Sequence, residues 1–464
     1  MTIQLRLDTT YIHDSRLGAH ALPEDQIAGL HGRLREVLDE IANERRAGQH
    51  RFRELPHLRI QVDEIKQIVA EYKDQTDNLV VLGIGGSALG NIALQSALNP
   101  YGYNLLPADQ RKGPRLFVLD NVDPVAFEAV MAFCSEDWSR TLINVISKSG
   151  ETAETSAQFL IVRDRLIQAL GEEEARRRII VTTDPAHGTM RGIVDREKYR
   201  SLVVPDGVGG RFSVLTPVGL FSAAMCGIDI DGLLDGAAAM DQAVSDPNPA
   251  TNPAARIAAI HHLYMERGKR LHVMMPYSQQ LKDMADWYCQ LWAESLGKRV
   301  NRSGQEVFVG PTPIKALGVT DQHSQVQLYN EGKLDKVLTF LEVESFRHRL
   351  DIPSMHPEHE GLSYLGNQKF NDLINLELRG TEYALTKHGR PSMRVVFPRI
   401  DETHIGEFIV TYEMATTLMA ALLDIDPFDQ PGVELGKQAT YALMGRAGYD
   451  ALAKEIRFAE GEDS

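Results

Sequence analysis

The chain reads as an α/β protein built on two mostly parallel sheets flanked by helices, and three observations predict this. Short apolar runs alternate with helical stretches from residue 78 onward. Glycine-rich and hydroxyl-rich turns follow two of those runs, where a parallel strand hands over to a helix. The 464 residues are too many for one ordinary core. A formal net charge of -15 argues against nucleic acid or an anionic membrane as a partner, so an anionic substrate needs a locally positive pocket. Three widely spaced cysteines, Cys134, Cys226 and Cys289, form neither a disulfide framework nor a paired zinc motif, and a reducing cytoplasm suits them best. The opening MTIQLRLDTTYIHDSR lacks a basic start followed by an apolar core, and no apolar run reaches the roughly 18 residues of a membrane span. Neither export nor membrane insertion is expected.

In chain order, Pro23 to Gln49 reads as an amphipathic helix with Ile27, Leu30, Leu34, Val37 and Ile41 on one face. Residues 1–74 are therefore expected to form an N-terminal helical extension. The runs NLVVLGI from Asn78, RLFVLD at 115–120, TLINVI at 141–146, RIIVTT at 178–183 and SLVVP then predict a first parallel-sheet domain over 75–245. SDPNPATNP, Ser245 to Pro253, places three prolines among turn formers and marks a boundary. A second such domain, 254–424, has candidate strands LHVMM at 271–275, VFVG at 307–310, VLTFLE at 337–342 and MRVVFP at 393–398. A helical tail, 425–464, begins in earnest near Pro431.

The motifs converge on a phosphorylated small molecule. GVGGRFSVLTPVG, Gly207 to Gly219, sets Arg211 behind Gly209 and Gly210, where its planar fork can hold a phosphate or a developing oxyanion. GIGGSALG, Gly83 to Gly90, follows the first strand of its sheet and leads into a helix, an arrangement that cradles an anion. It contains the dinucleotide pattern G-x-G-x-x-A. Asp120, however, lies well beyond the roughly twenty-residue spacing of that fingerprint, and Ser87 suits a compact phosphate. SKSGETAET, Ser147 to Thr155, adds three hydroxyls and Lys148 at a helix start, a set fitted to a phosphate monoester. Taken singly, each of these has an ordinary reading as a turn or an N-cap. In the second domain, Glu294 in WAESLGKR stands beside Trp292 and Leu296, whose apolar side chains are expected to desolvate it toward general-base work. His323 in GVTDQHSQ can exchange protons near neutral pH, although the chain has 15 histidines. HPEHE, with His356, Glu358 and His359, lacks helical ligand spacing and reads as a surface loop. DPFDQPGVELGK, Asp426 to Lys437, offers Gln430 and Lys437 to a polar ligand.

Six of these stretches, in their order along the chain, resemble the site segments of the bacterial-type phosphoglucose isomerases (glucose-6-phosphate isomerases). GVGGRFSVLTPVG and DPFDQPGVELGK are similar to that family's two signatures, and the likeness spans Gly83 to Lys437. The resemblance implies two SIS (sugar isomerase) domains and a metal-independent, cofactor-free interconversion of glucose 6-phosphate and fructose 6-phosphate. It also implies a homodimer with shared active sites. Carried over by position, Glu294 is the base that shuttles a proton between C2 and C1 through a cis-enediol, and His323 and Lys437 open the sugar ring. Arg211 stabilises the enediolate. Gly86, Ser87, Ser147, Lys148, Ser149 and Thr152 hold the phosphate, and Gln430 helps place the sugar. Two departures stand out: SKSGET replaces the threonine-rich run of larger members, and proline follows Gln430 where many relatives have tryptophan. Open alternatives are a dual glucose and mannose phosphate isomerase, a non-catalytic sugar-phosphate sensor and an NAD(P)-dependent dehydrogenase.

Overall fold

A computed structural model describes residues 3–461. The first sheet runs in the order Arg115–Leu119, Asn78–Leu82, Thr141–Ile146, Ile179–Thr183, Arg200–Val203, with every pairing parallel. Its three central strands are buried at every residue, as continuous Val, Ile and Leu runs require when helices cover both faces. The second sheet runs Arg6–Asp8, Ser392–Arg399, Lys336–Ser345, Leu271–Pro276, Thr312–Lys315. All its pairings are parallel except the first, which is antiparallel.

Three expectations are corrected here. The N-terminal stretch does not begin as a helical extension: Arg6–Asp8 is an edge strand of the second sheet, paired with 394–396. The long N-terminal helix is broken at Leu30 into Glu24–Gly29 and His31–Arg46. The run at 307–310 does not join the second sheet but folds back as Glu306–Val309 against Lys298–Val300. The sheet edge is taken instead by Thr312–Lys315, and an edge is where a strand can carry a proline such as Pro313.

The two units are not separate bodies on a linker. Inner faces of both sheets and the helices between them share one continuous core, in which Leu79, Val81 and Leu142 of the first unit join Met274, Trp287 and Phe408 of the second. The expected boundary is a tight turn between Ile230–Val244 and Pro253–Glu266. There Asn252 caps the second helix through Ala255 N–H at 3.1 Å and donates back to the Val244 carbonyl at 2.8 Å. The centre of the core is helix Glu402–Leu422, long and apolar enough to cross a membrane but with 94% of its apolar window buried inside the protein. It crosses Ile230–Val244 at glycines. A Cβ on Gly406 would come within 2.0 Å of the Leu233 carbonyl oxygen, and one on Gly236 within 2.0 Å of that of Thr403.

Beneath helix Lys282–Leu296 lies a buried aromatic stack. His261 lies on His272 with ring centroids 4.1 Å apart, and the Trp292 indole donates to His272 Nδ1 at 3.1 Å. Neither nitrogen of His261 finds a hydrogen-bond partner among the described residues. Burial pushes its pKa down to about 3. In the unfolded chain the imidazole returns to about 6.5, so the unfolded state binds the extra proton between these values. The contribution is whole above about pH 6.5 and erodes as pH falls toward 3, costing roughly 2 to 3 kcal/mol by pH 4.5. Replacing His261 with leucine should therefore flatten the fall in denaturation midpoint between pH 7 and 4.5. An unchanged slope would assign acid sensitivity to other groups.

Candidate active site

The carboxyl ends of the first sheet's strands carry the loops that the motifs predicted. Asn78–Leu82 runs into GIGGS and helix Gly86–Leu98, Thr141–Ile146 into SKSGET and helix Ala153–Leu170, and Arg200–Val203 into the loop of Arg211. Gly85 turns the chain at φ +57. Gly86 has no room for a side chain. A Cβ on Gly86 would lie 2.2 Å from the Gly210 carbonyl, so the two loops meet backbone to backbone. A Cβ on Gly210 itself would meet only Gly86 Cα at 3.8 Å, an ordinary contact, so Gly86 is the glycine that lets the Arg211 loop seat here.

Arg211 is buried, its side chain 2% exposed. A guanidinium has five N–H donors, and all five have acceptors. Nε donates to Ser295 Oγ at 2.8 Å, and Nη1 to Glu294 Oε2 at 3.1 Å and Gln430 Oε1 at 2.8 Å. Nη2 donates to the carbonyls of Asp429, at 3.0 Å, and Pro427. Burial pulls its pKa below the ordinary value, against the opposing pull of Glu294, Asp429 and Asp426. Arginine remains charged under such a shift. Nη1 is the amino group held only by side chains, so its acceptors, Glu294 and Gln430, are the ones that can give way to a substrate oxygen without moving the guanidinium.

Glu294 sits near the end of helix Lys282–Leu296 with its side chain 35% exposed. Its apolar neighbours do not enclose it. Trp292 and Leu296, one helical turn apart, face the core, and Glu294 lies between them in sequence and so projects the other way. Gln290, one turn earlier, donates to Glu294 Oε1 at 3.0 Å.

A cavity of about 550 Å³ is lined by Ile84, Ser149, Thr152, Glu154, Lys437 and Tyr441 among others; Ile84 belongs to the same loop as Gly86, whose backbone abuts Arg211. The cavity has room for a sugar phosphate. Thr152 is the N-cap residue of the 18-residue helix Ala153–Leu170, but its hydroxyl makes no capping bond and remains available. The tail helix Glu434–Leu443 closes over the cavity because Tyr441 donates to the Glu151 carbonyl at 2.9 Å and Arg446 pairs with the Glu151 carboxylate at 3.1 Å. Lys437 is half exposed there and pairs with Glu434 at 2.8 Å.

Other expected phosphate ligands are disposed less directly. Ser147 is buried and accepts from Gly150 N–H at 3.0 Å, and Lys148 reaches the Val208 carbonyl at 3.3 Å. Ser149 Oγ accepts from Glu151 N–H at 3.2 Å. Ser87 opens the helix that follows GIGG, half-buried. His323 ends a short 3₁₀ turn beyond the second sheet's edge strand and is exposed, with no side-chain partner among the described residues. One chain therefore joins Arg211, Glu294 and Gln430, and separately Ser149, Thr152 and Lys437, but leaves His323 apart. His356, Glu358 and His359 lie exposed in a surface loop. Sequence reasoning missed Gln290, Ser295, Lys298 and Asp429. Of these only Gln290 left a signal, its i, i+4 spacing from Glu294.

A family model described as phosphoglucose isomerase matches residues 55–349 and 379–452. The chain is 45% identical over 453 residues to a glucose-6-phosphate isomerase of Carboxydothermus hydrogenoformans, covering 97% of each. Among solved structures, a hypothetical protein of Thermus thermophilus is similar at a TM-score of 0.83 and 34% identity, over 95% of this chain and 100% of that one. A glucose-6-phosphate isomerase of Chlamydia trachomatis shares the fold at a TM-score of 0.73 and 24% identity, over 86% of this chain and 77% of that one. With the family model and a near full-length relative both matched, this chain belongs to the phosphoglucose isomerase family.

Proposed function

We propose that this chain interconverts D-glucose 6-phosphate and D-fructose 6-phosphate by ring opening and a cis-enediol intermediate. The observation that carries the reading is the Arg211–Glu294 pair, with Arg211 packed on the Gly86 loop whose Ile84 lines a cavity shared with Ser149, Thr152 and Lys437. Glu294 takes the proton from C2 and returns it at C1. A carbon acid is far weaker than a carboxylic acid, so the base needs help, and the charged fork of Arg211 supplies it by stabilising the enediolate oxygens. Gln430, which shares Nη1 with Glu294, is placed to move with it. Ser87, Ser147, Lys148, Ser149 and Thr152, with Gly86 and the helix amides, hold the phosphate, and that grip orients the reacting carbon. Lys437 and His323 move the proton of the ring oxygen. A sensor without chemistry would have no use for a carboxylate and a guanidinium aimed at one sugar.

The reaction as read needs neither metal nor nicotinamide, takes place in the cytoplasm, and is performed by a homodimer whose partner subunit supplies the histidine. Exposed apolar side chains, among them Tyr364, Phe370, Leu435, Met444 and Phe458, support association. The test is formation of fructose 6-phosphate from glucose 6-phosphate, in EDTA and without NAD(P), beside the same assay on mannose 6-phosphate. Turnover of both aldoses at similar kcat/KM would instead make it a dual-specificity isomerase. Phosphate placement has its own test. A hydrogen bond to a charged group contributes about 1.5 to 3 kcal/mol, so Thr152→Ala should raise the inhibition constant of inorganic phosphate roughly tenfold or more. Unchanged inhibition would put the phosphate elsewhere.

A further inference from the structure

The loop Asp426–Gln430 supplies three of the five acceptors that hold Arg211: the carbonyls of Pro427 and Asp429 and the side-chain oxygen of Gln430. It is a connection, lying between helix Glu402–Leu422 and the turn Pro431–Val433. Acceptors on a loop place a guanidinium only as well as the loop itself is placed. Two anchors hold this one. Phe428 packs against His50 and Phe212 with ring centroids 5.2 and 5.4 Å away, and Phe212 is the residue after Arg211. The other anchor is Lys298, whose side chain is 5% exposed.

An ammonium has three protons to give, and Lys298 Nζ has three acceptors. It donates to Asp429 Oδ1 at 2.7 Å, to the Asp429 carbonyl, and to the Glu294 carbonyl at 3.1 Å. Two of these lie on the loop that seats Arg211. The third is one of the last-turn carbonyls of helix Lys282–Leu296 that lack an intrahelical partner, where a cation also complements the helix dipole. One buried cation thus joins the turn that presents Glu294 to the loop that seats Arg211. Since all its protons are committed, it is not a spare charge for substrate.

We infer that Lys298, with Asp429 as its counterion, is a positioning residue for the isomerisation, fixing the Asp426–Gln430 loop as the seat of the Arg211 guanidinium. The inference rests on the reading of Arg211 and Glu294 as the reacting pair. A displacement near 1 Å at a reacting centre costs on the order of 100-fold in rate. The phosphate cradle belongs to other loops, so binding of the substrate's far end is left intact.

Steady-state kinetics on full-length protein test this with four variants: Lys298→Met, Asp429→Ala, Arg211→Lys, and Lys298→Met combined with Arg211→Lys. Lys298→Met should lower kcat about 10- to 100-fold with KM changed less than about threefold. Asp429→Ala should act in the same direction but less, because Nζ keeps the carbonyl. With the fork already gone in Arg211→Lys, adding Lys298→Met should lower kcat less than about threefold further. Full multiplicative loss in the double variant overturns the inference, as does a loss under threefold in both Lys298→Met and Asp429→Ala. If Lys298→Met does not fold, Asp429→Ala in the Arg211→Lys background reads the same coupling, since the Asp429 side chain is 55% exposed. Failure of the underlying site reading has a different signature, an undiminished kcat in Arg211→Lys alone.

Discussion

Glu294→Gln is expected to lose roughly two to four orders of magnitude in kcat while KM for the sugar phosphate stays within about threefold. The substitution keeps shape and removes only the proton acceptor. In the parent, Oε2 accepts from Arg211 and Oε1 from Gln290. A glutamine can keep its oxygen toward Arg211 and turn its amide toward Gln290. Gln290 can accept that proton, because its own Oε1 has no partner among the described residues. The guanidinium therefore keeps its place and the cradle is untouched, so the deficit falls on the chemical step. Loss of solvent-hydrogen exchange at C2 alongside kcat would locate it there. A fall in kcat below threefold would remove Glu294 from the base role and leave Arg211 without a reason to be paired to it.

The sheets were legible because parallel strands buried on both faces are predominantly apolar, and NLVVL, TLINVI and IIVTT are buried at every position. Edges follow no such rule. Arg6–Asp8 is short and polar, and Thr312–Lys315 contains a proline, so neither announced itself, while the more apolar 307–310 run was drawn into a hairpin. In the candidate site, the motifs that carry charged and hydroxyl side chains stood out in the sequence, but the contacts that support them did not. Gly86 has no room for a side chain because Gly210, far later in the chain, occupies that space. Lys298 reads as an ordinary lysine after a helix until Asp429, 131 residues on, is folded against it. The expected desolvation of Glu294 by Trp292 failed on helical geometry, since positions two apart face opposite ways. Distance in sequence hid the contacts, and rotation about one helix axis hid the environment.

A shared active site makes the second large prediction. Within one chain His323 is exposed beyond the second sheet's edge with no side-chain partner among the described residues, while Glu294 is held by Arg211 and Lys437 lines the cavity under the tail helix, which favours a histidine delivered by a partner. Under two-fold symmetry, a heterodimer of a Glu294→Gln chain with a His323→Ala chain would contain one site with both lesions and one with neither. Each homodimeric mutant should be nearly inactive. Randomly mixed dimers should recover about a quarter of parental activity, since about half the dimers are mixed and half of their sites are intact, and isolated heterodimer about half. Two different affinity tags, co-expression and sequential purification isolate that species without relying on subunit exchange. The recovered activity should retain the parental KM, because the restored site is whole. If every site were built within one chain, each would carry one lesion, and folded heterodimer would be no more active than the better single mutant. That result would return His323 to its own chain and require a conformational change to bring it to the ring oxygen.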